Sequence, residues 1–303
     1  MRALVCGWFS FEPMGATAGD LQARDVAREW LDRSGVPHDV ACAPVFDAGV
    51  DWRAVEPAVY THVVFVCGPF DPDRQPIAGL LERFAGARLV GLDVSVERPL
   101  AEHDPFDLLF ERDSSRGGAP DLAFAATTAR MPAVGVVLAP HQREYGEGAR
   151  HAEAEALIDR ALGVRAVARV DLDTALNNEP DSRDPASLRS PAEVESLVAC
   201  VDAVVTTRLH GLVLALKAGV PAVAVDPVAG GAKVLRQAER LGWPHARSAD
   251  AADEGWLGDA LDCCLDPAAA AGARACAARA AGEVAALGER FVLAMRAEAE
   301  RGA

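Results

Sequence analysis

The sequence predicts an α/β fold of two parallel-sheet domains facing a cleft. Three observations carry that expectation. Short apolar runs alternate with stretches of helical spacing along most of the 303 residues. Runs such as His62–Gly68 (HVVFVCG) are almost wholly apolar, as in strands covered on both faces. The alternation loosens between about Ser114 and Pro132 and then resumes. Alternation of this kind builds parallel sheets with crossover helices, and the length suffices for two cores of ordinary size. The boundary is expected near 125–132, giving domains 1–130 and 131–303.

Taken in order, Ala3–Gly7 is an apolar run ending at glycine, a first strand. A glycine-bearing loop leads to a helix over Asp20–Arg33, where Leu21, Val26, Ala27, Trp30 and Leu31 share a face and Ser34-Gly35 ends it. Strands are expected at His38–Ala43, His62–Gly68, Arg88–Val94 and Phe106–Phe110, with a helix over Pro76–Ala87. In the second half, Ala133–Leu138 is a strand, Gly146–Leu162 a helix and Val164–Leu172 a strand. Asn177–Arg189 is a polar loop. Ser190-Pro191-Ala192-Glu193 is a helix start: a serine cap, proline at the first helical position and an acid in the first turn. Ala203–Thr207 and Pro221–Val225 are strands, His210–Ala218 and Gly231–Leu241 helices, and Asp266–Glu300 an Ala-rich helix.

Composition narrows the function. Thirty basic and 45 acidic side chains give a net charge of −15, which argues against nucleic-acid binding. The seven cysteines form no CxxC pair, so neither a zinc motif nor a disulfide framework is expected. No run approaches the roughly 20 apolar residues of a membrane span, and no signal peptide is seen. The reading is a cytoplasmic protein with no required metal. Only Lys217 and Lys233 are lysines.

The most informative segment is Val204–Asp226, VVTTRLHGLVLALKAGVPAVAVD. Arg208 closes a buried strand, and His210-Gly211 opens a helix two residues later. A helix N-terminus attracts anions through its free N–H groups and dipole, and an arginine fork adds directed charge. Gly211 is read as allowing close approach of a ligand. The same residues also suit a strand-end salt bridge with a capping histidine, so the pattern alone leaves both open. Gly15-Ala16-Thr17-Ala18-Gly19-Asp20 is a loop before a helix, in which Gly15, Thr17 and Gly19 suit a phosphate cradle. Asp20 is either a base or a first-turn acid. Phe9 and Phe11 either border an acceptor site or pack on the first helix. His151 and Glu155, one helical turn apart, and the acidic stretches Asp171–Asp173 and Glu179–Asp184 are read as solvated.

Arg208-Leu209-His210-Gly211-Leu212, followed by Ala218-Gly219-Val220-Pro221, resembles the signature of the polysaccharide pyruvyltransferase family. Glu111-Arg112-Asp113-Ser114 and Asp121-Leu122-Ala123-Phe124 resemble two further segments of that family, and Lys233 lies where the family often has a lysine. The first loop keeps the family's Gly–Asp pair but not its asparagine. The resemblance implies two Rossmann-like domains in a GT-B-like arrangement, the first on the acceptor side and the second on the donor side. It implies transfer of a pyruvyl group from phosphoenolpyruvate to a sugar-containing acceptor as a ketal, with no cofactor. Arg208, Leu209 and Gly211 would line the donor site and His210 would act as general acid, with Asp20 a second catalytic candidate. Lys233 and Arg112 would help hold the donor's anionic groups. Where the family has an arginine after the second domain's first strand, this chain has His141 and Arg143. Two alternatives stay open: a nucleotide-sugar-dependent glycosyltransferase, and a non-catalytic relative that binds an anion or a partner protein.

Overall fold

In the computed structural model, residues 1–12, 15–46, 49–140, 143–176 and 188–301 are described. The chain forms two compact units, Met1–Ala129 and Arg130–Ala303. Each is built on a parallel sheet, so the expected α/β class holds in both.

The first unit contains β1 (Ala3–Gly7), α1 (Ala18–Arg33), β2 (His38–Val40), β3 (His62–Val66), β4 (Pro69–Phe70), α2 (Ile77–Arg83), β5 (Arg88–Val96) and β6 (Leu108–Asp113). The sheet order is β2-β1-β3-β5-β4, with β6 also paired to β5. Alternation along β1 explains the two cores. Leu4 and Cys6 face Phe65, Phe70, Ile77 and Leu80 on one side. Ala3 and Val5 face Phe9, Val26 and Ala27 on the other. Phe9 and Phe11 are therefore core residues, one in each cluster. Trp30 departs from the expected stripe. The buried face of α1 runs through Asp20, Ala23, Val26 and Ala27; Trp30 continues that face one turn further on but is 40% exposed.

The second unit contains β7 (Ala133–Val137), α3 (His151–Gly163), β8 (Ala168–Leu172), α4 (Pro191–Val198), β9 (Ala203–Thr206), α5 (Leu209–Lys217), β10 (Ala222–Asp226), α6 (Lys233–Leu241), β11 (Ala246–Ser248), α7 (Glu254–Leu265) and α8 (Ala269–Arg301). The order β11-β10-β9-β7-β8 is parallel throughout. Valines of β7, β9 and β10 pack with Ile158, Leu212 and Leu261. The expected cap of α4 is present: the Ser190 side chain accepts the Glu193 N–H, and proline follows. α3 starts five residues later than expected, and His151 is buried rather than solvated. β11 and α7 fall where no element was expected. No described helix is long and apolar enough to cross a membrane.

Strand order creates a switch point in each sheet. In the first unit it lies between β1 and β3, in the second between β7 and β9, because successive crossovers leave in opposite directions there. Open α/β sheets bind ligands beyond the carboxyl ends of strands at such points.

The second sheet is anchored at its opposite end by Asp202. Its carboxylate accepts the Ala133 N–H at 2.7 Å and pairs with Arg130 at 2.9 Å. These contacts, the Ala133 N–H first, hold its pKa below the usual value. A depressed folded pKa adds stability above the unfolded value of about 3.9 and loses it as pH falls through the folded value. Asp202→Asn is expected to lower the melting temperature at pH 7, with the deficit narrowing progressively below pH 4. A deficit that stays constant with pH contradicts this role.

Candidate functional site

The turn from β9 into α5 builds the site. Thr206 is fully buried, and its hydroxyl donates to Val137 O at 2.9 Å across the switch point. The same oxygen accepts the Arg208 N–H at 2.9 Å. Thr207 reinforces the link, donating its N–H to Val137 O at 3.0 Å and accepting the Ala139 N–H at 2.7 Å. Arg208 is thereby held in extended conformation (φ −103°, ψ 139°) as the residue before α5.

Arg208 reaches back over the strand ends. Its Nε donates to Leu138 O at 2.6 Å, and its Nη2 lies 3.2 Å from Asp173 Oδ1, just past β8. The side chain is 20% exposed. Asp173, read as solvated, is thus the counter-ion of the central arginine. Among the described residues Nη1 has no acceptor. Among the described residues no side chain caps α5. The leading amides of Leu209, His210 and Gly211 and the positive end of the helix stay available to an anion. His210 is exposed at the second helical position. Arginine, helix amides and imidazole therefore meet at the switch point of the second sheet.

The neighbouring helix end is different. Asp226, 1% exposed, ends β10 and turns its carboxylate into the start of α6. Its Oδ2 accepts from Ala232, Val234 and Leu235 N–H at 2.7, 3.0 and 2.9 Å. The chain's own carboxylate fills that position. Lys233 opens α6, exposed, with its ammonium 5.8 Å from the Tyr145 ring centroid. Its ring partner is Tyr145, not the Arg208 cluster. His141 lies outside the described residues. Arg143 opens the 3-10 segment Arg143–Gly148, and its side chain is also outside the described set. Glu179–Asp184 are outside it too.

Gly211 is corrected. Its missing Cβ faces Thr206 and Val137, where an added carbon would lie 2.1 Å from Thr206 Oγ1. Glycine here brings α5 onto the sheet and does not make room for a ligand.

The first unit changes three further roles. Thr17 and Asp20 cap α1 reciprocally: Thr17 N–H and hydroxyl donate to Asp20 Oδ2 at 2.8 and 2.7 Å, and Asp20 N–H donates to Thr17 Oγ1. A carboxylate of the chain sits where the phosphate was expected. Gly15 and Gly19 meet no backbone or core group that would demand glycine, and the observed role of Asp20 is that of a first-turn acid. Arg112 is engaged inside its own unit. Its Nη1 donates to Asp121 Oδ2 at 2.7 Å and to Cys67 Sγ at 3.5 Å, its Nη2 donates to Ser95 Oγ at 2.7 Å, and its Nε lies 3.6 Å from Asp113. Each guanidinium nitrogen faces a partner within the first unit.

Around Arg112 is a cluster that sequence reasoning missed. Cys67 follows β3 and Asp93 lies inside β5 at a register shift, with left-handed φ of 64° and 60°, unusual for residues other than glycine. Burial, then the Asp20 and Asp93 charges, pushes the Cys67 thiol up to about 12. Burial also raises the Asp93 carboxyl above its ordinary value, against the Leu122 N–H, which favours the anion. The Ala123 N–H and then Arg112 hold Asp121 below its ordinary value.

Comparison with known proteins fits the second-unit site. The family model for polysaccharide pyruvyl transferase matches residues 120–227, which span Asp121–Phe124 and Arg208–Pro221. The resemblance read from those residues is borne out over that range. No curated protein sequence matches the chain. Similar solved structures include CalG4, the calicheamicin glycosyltransferase, at 15% identity and TM-score 0.34, covering 94% of this chain and 97% of that one. SnogD, a glycosyltransferase from Streptomyces nogalater, is 18% identical at TM-score 0.28, covering 95% and 99%. The UDP-GlcNAc 2-epimerase of Methanocaldococcus jannaschii is 9% identical at TM-score 0.32, covering 88% and 92%. Likenesses this distant say nothing of what this chain binds.

Gly211→Ala gains about 1 kcal/mol of helix propensity but must relieve a contact against a buried threonine. Overpacking of that kind costs about 1–3 kcal/mol. A net loss of stability is expected in the urea midpoint, and an unchanged or raised midpoint contradicts the packing role.

Proposed function

We propose that the chain is a pyruvyl transferase that moves a pyruvyl group from phosphoenolpyruvate to a saccharide-type acceptor. The carrying observation is the uncapped start of α5 with Arg208 before it, at a switch point and inside the segment matched by the family model. Phosphoenolpyruvate bears a phosphate and a carboxylate on one enol carbon. It needs several directed donors close together, and Arg208 Nη1 with the α5 amides supplies them.

The step balances simply. Two acceptor hydroxyl oxygens bond to C2 of the enol, C3 gains one proton, and the bond from C2 to the phosphate oxygen breaks. Phosphate leaves with that electron pair. Of the two hydroxyl protons, one replaces the proton given to C3 and the other leaves with phosphate or solvent. His210, exposed beside the amides, is assigned the proton donor to C3, because imidazole exchanges protons near neutral pH. Asp173 competes with the donor for Arg208 and tunes its affinity. The chain requires no cofactor for this step, since every charge it moves ends on substrate, water or imidazole.

Calorimetric titration with phosphoenolpyruvate tests the site. Charged hydrogen bonds contribute about 1.5–3 kcal/mol, so Arg208→Ala is expected to weaken binding roughly 10- to 100-fold. Asp173→Asn should strengthen it modestly, and His210→Ala should abolish turnover without unfolding the chain. Unchanged affinity in Arg208→Ala contradicts the assignment. Binding of UDP in place of phosphoenolpyruvate favours a nucleotide-sugar glycosyltransferase, and binding of neither favours a non-catalytic relative.

A further inference from the structure

Beside the β3–β5 pair of the first sheet, Cys67 Sγ and one carboxylate oxygen each from Asp93 and Asp121 lie within 4.8 Å of one another. This is not a solvated acidic patch: Cys67 is 3% and Asp93 4% exposed. Asp93 Oδ2 is buried and receives no hydrogen bond. Leaving a buried carboxylate oxygen without a donor is costly. The guanidinium seen at the cluster among the described residues, Arg112, already donates to Asp121, Cys67 and Ser95. Arg112 lends Asp93 its charge from nearby, yet Asp93 Oδ2 itself is left without a direct partner.

We propose that this pocket binds a divalent transition-metal ion of the zinc class through Cys67 Sγ and the carboxylates of Asp93 and Asp121. The donor set selects the metal. One thiolate and two carboxylates suit zinc, with S at about 2.3 Å and O at about 2.0–2.2 Å. Calcium and magnesium take oxygen donors only. At those lengths tetrahedral ligand atoms sit roughly 3.5 Å apart, so the side chains close by about 1 Å on binding. Cys67 releases its thiol proton to solvent as the bond forms. Asp121 keeps the Ala123 N–H and Arg112 as partners on its two oxygens, which fix the carboxylate's direction. The fourth position is left for water or another small ligand. The chain carries its left-handed backbone at Cys67 and Asp93, the two buried residues of this triad. The inference is independent of pyruvyl transfer, whose residues lie in the second unit.

The test uses the full chain, stripped with chelator and dialysed against zinc chloride, with bound metal counted by elemental analysis. One equivalent per chain is expected, and cobalt(II) in its place should give the near-ultraviolet absorption of a cobalt–thiolate bond. Asp93→Asn and Cys67→Ser should each weaken binding roughly 100-fold. The exposed thiols of Cys200 and Cys263 are the control, and Cys200→Ser with Cys263→Ser should retain the full equivalent. Melting curves in chelator establish that the variants fold. If a variant does not fold, the wild-type stoichiometry and cobalt band decide alone. No bound zinc, no thiolate band, or metal lost only in the Cys200/Cys263 variant overturns the proposal.

Discussion

The hydroxyl of Thr206 is the small group on which the second-unit site depends. It joins the end of β9 to β7 through Val137 O and takes the Arg208 N–H. Those two bonds fix the direction in which the chain leaves the sheet. The leaving direction places Arg208 over Leu138 and lets α5 settle against Thr206, which Gly211 alone permits. The start of α5 is then left with free amides. Packing, turn geometry and electrostatics at this point draw on the same few residues.

Among the described residues, α2 and α3, like α5, start without a side-chain cap, while four other helix starts are closed by the chain itself. α1 is closed by Thr17 and Asp20, α4 by Ser190, α7 by Asp253 and α6 by the buried Asp226. In a chain of net charge −15, acids close most of these ends internally. A mobile anion is then drawn to a local positive spot in an acidic body rather than to a general field. Arg208 supplies that spot, and Asp173 moderates it.

Much of this was legible in the sequence where the controlling interactions are local. Ser190-Pro191 announces a helix start, and the apolar run into Thr206-Thr207-Arg208 announces a strand end before a helix. What was not legible depends on distant partners. Gly211 looks like room for a ligand until Val137, more than 70 residues earlier, is seen packed against it with Thr206. Arg112 reads as a free cation until Asp121, Cys67 and Ser95 take its nitrogens. Asp173 sits in an acidic stretch with no local mark of its pairing to Arg208. Nothing in the residues around Cys67 and Asp93 marks their left-handed backbone, which the register of β3, β5 and β6 brings to one pocket. The short polar strand β11 carries no apolar period, so it and α7 after it escaped notice.

The central claim is that the α5 start, and not a phosphate loop in the first unit, holds the anionic donor. A crystal structure with phosphoenolpyruvate bound measures this most directly. The account predicts a phosphate or carboxylate oxygen within hydrogen-bond distance of Arg208 and the amides of Leu209 to Gly211. Ligand density at Gly15 to Asp20, with the α5 amides unoccupied, would contradict it.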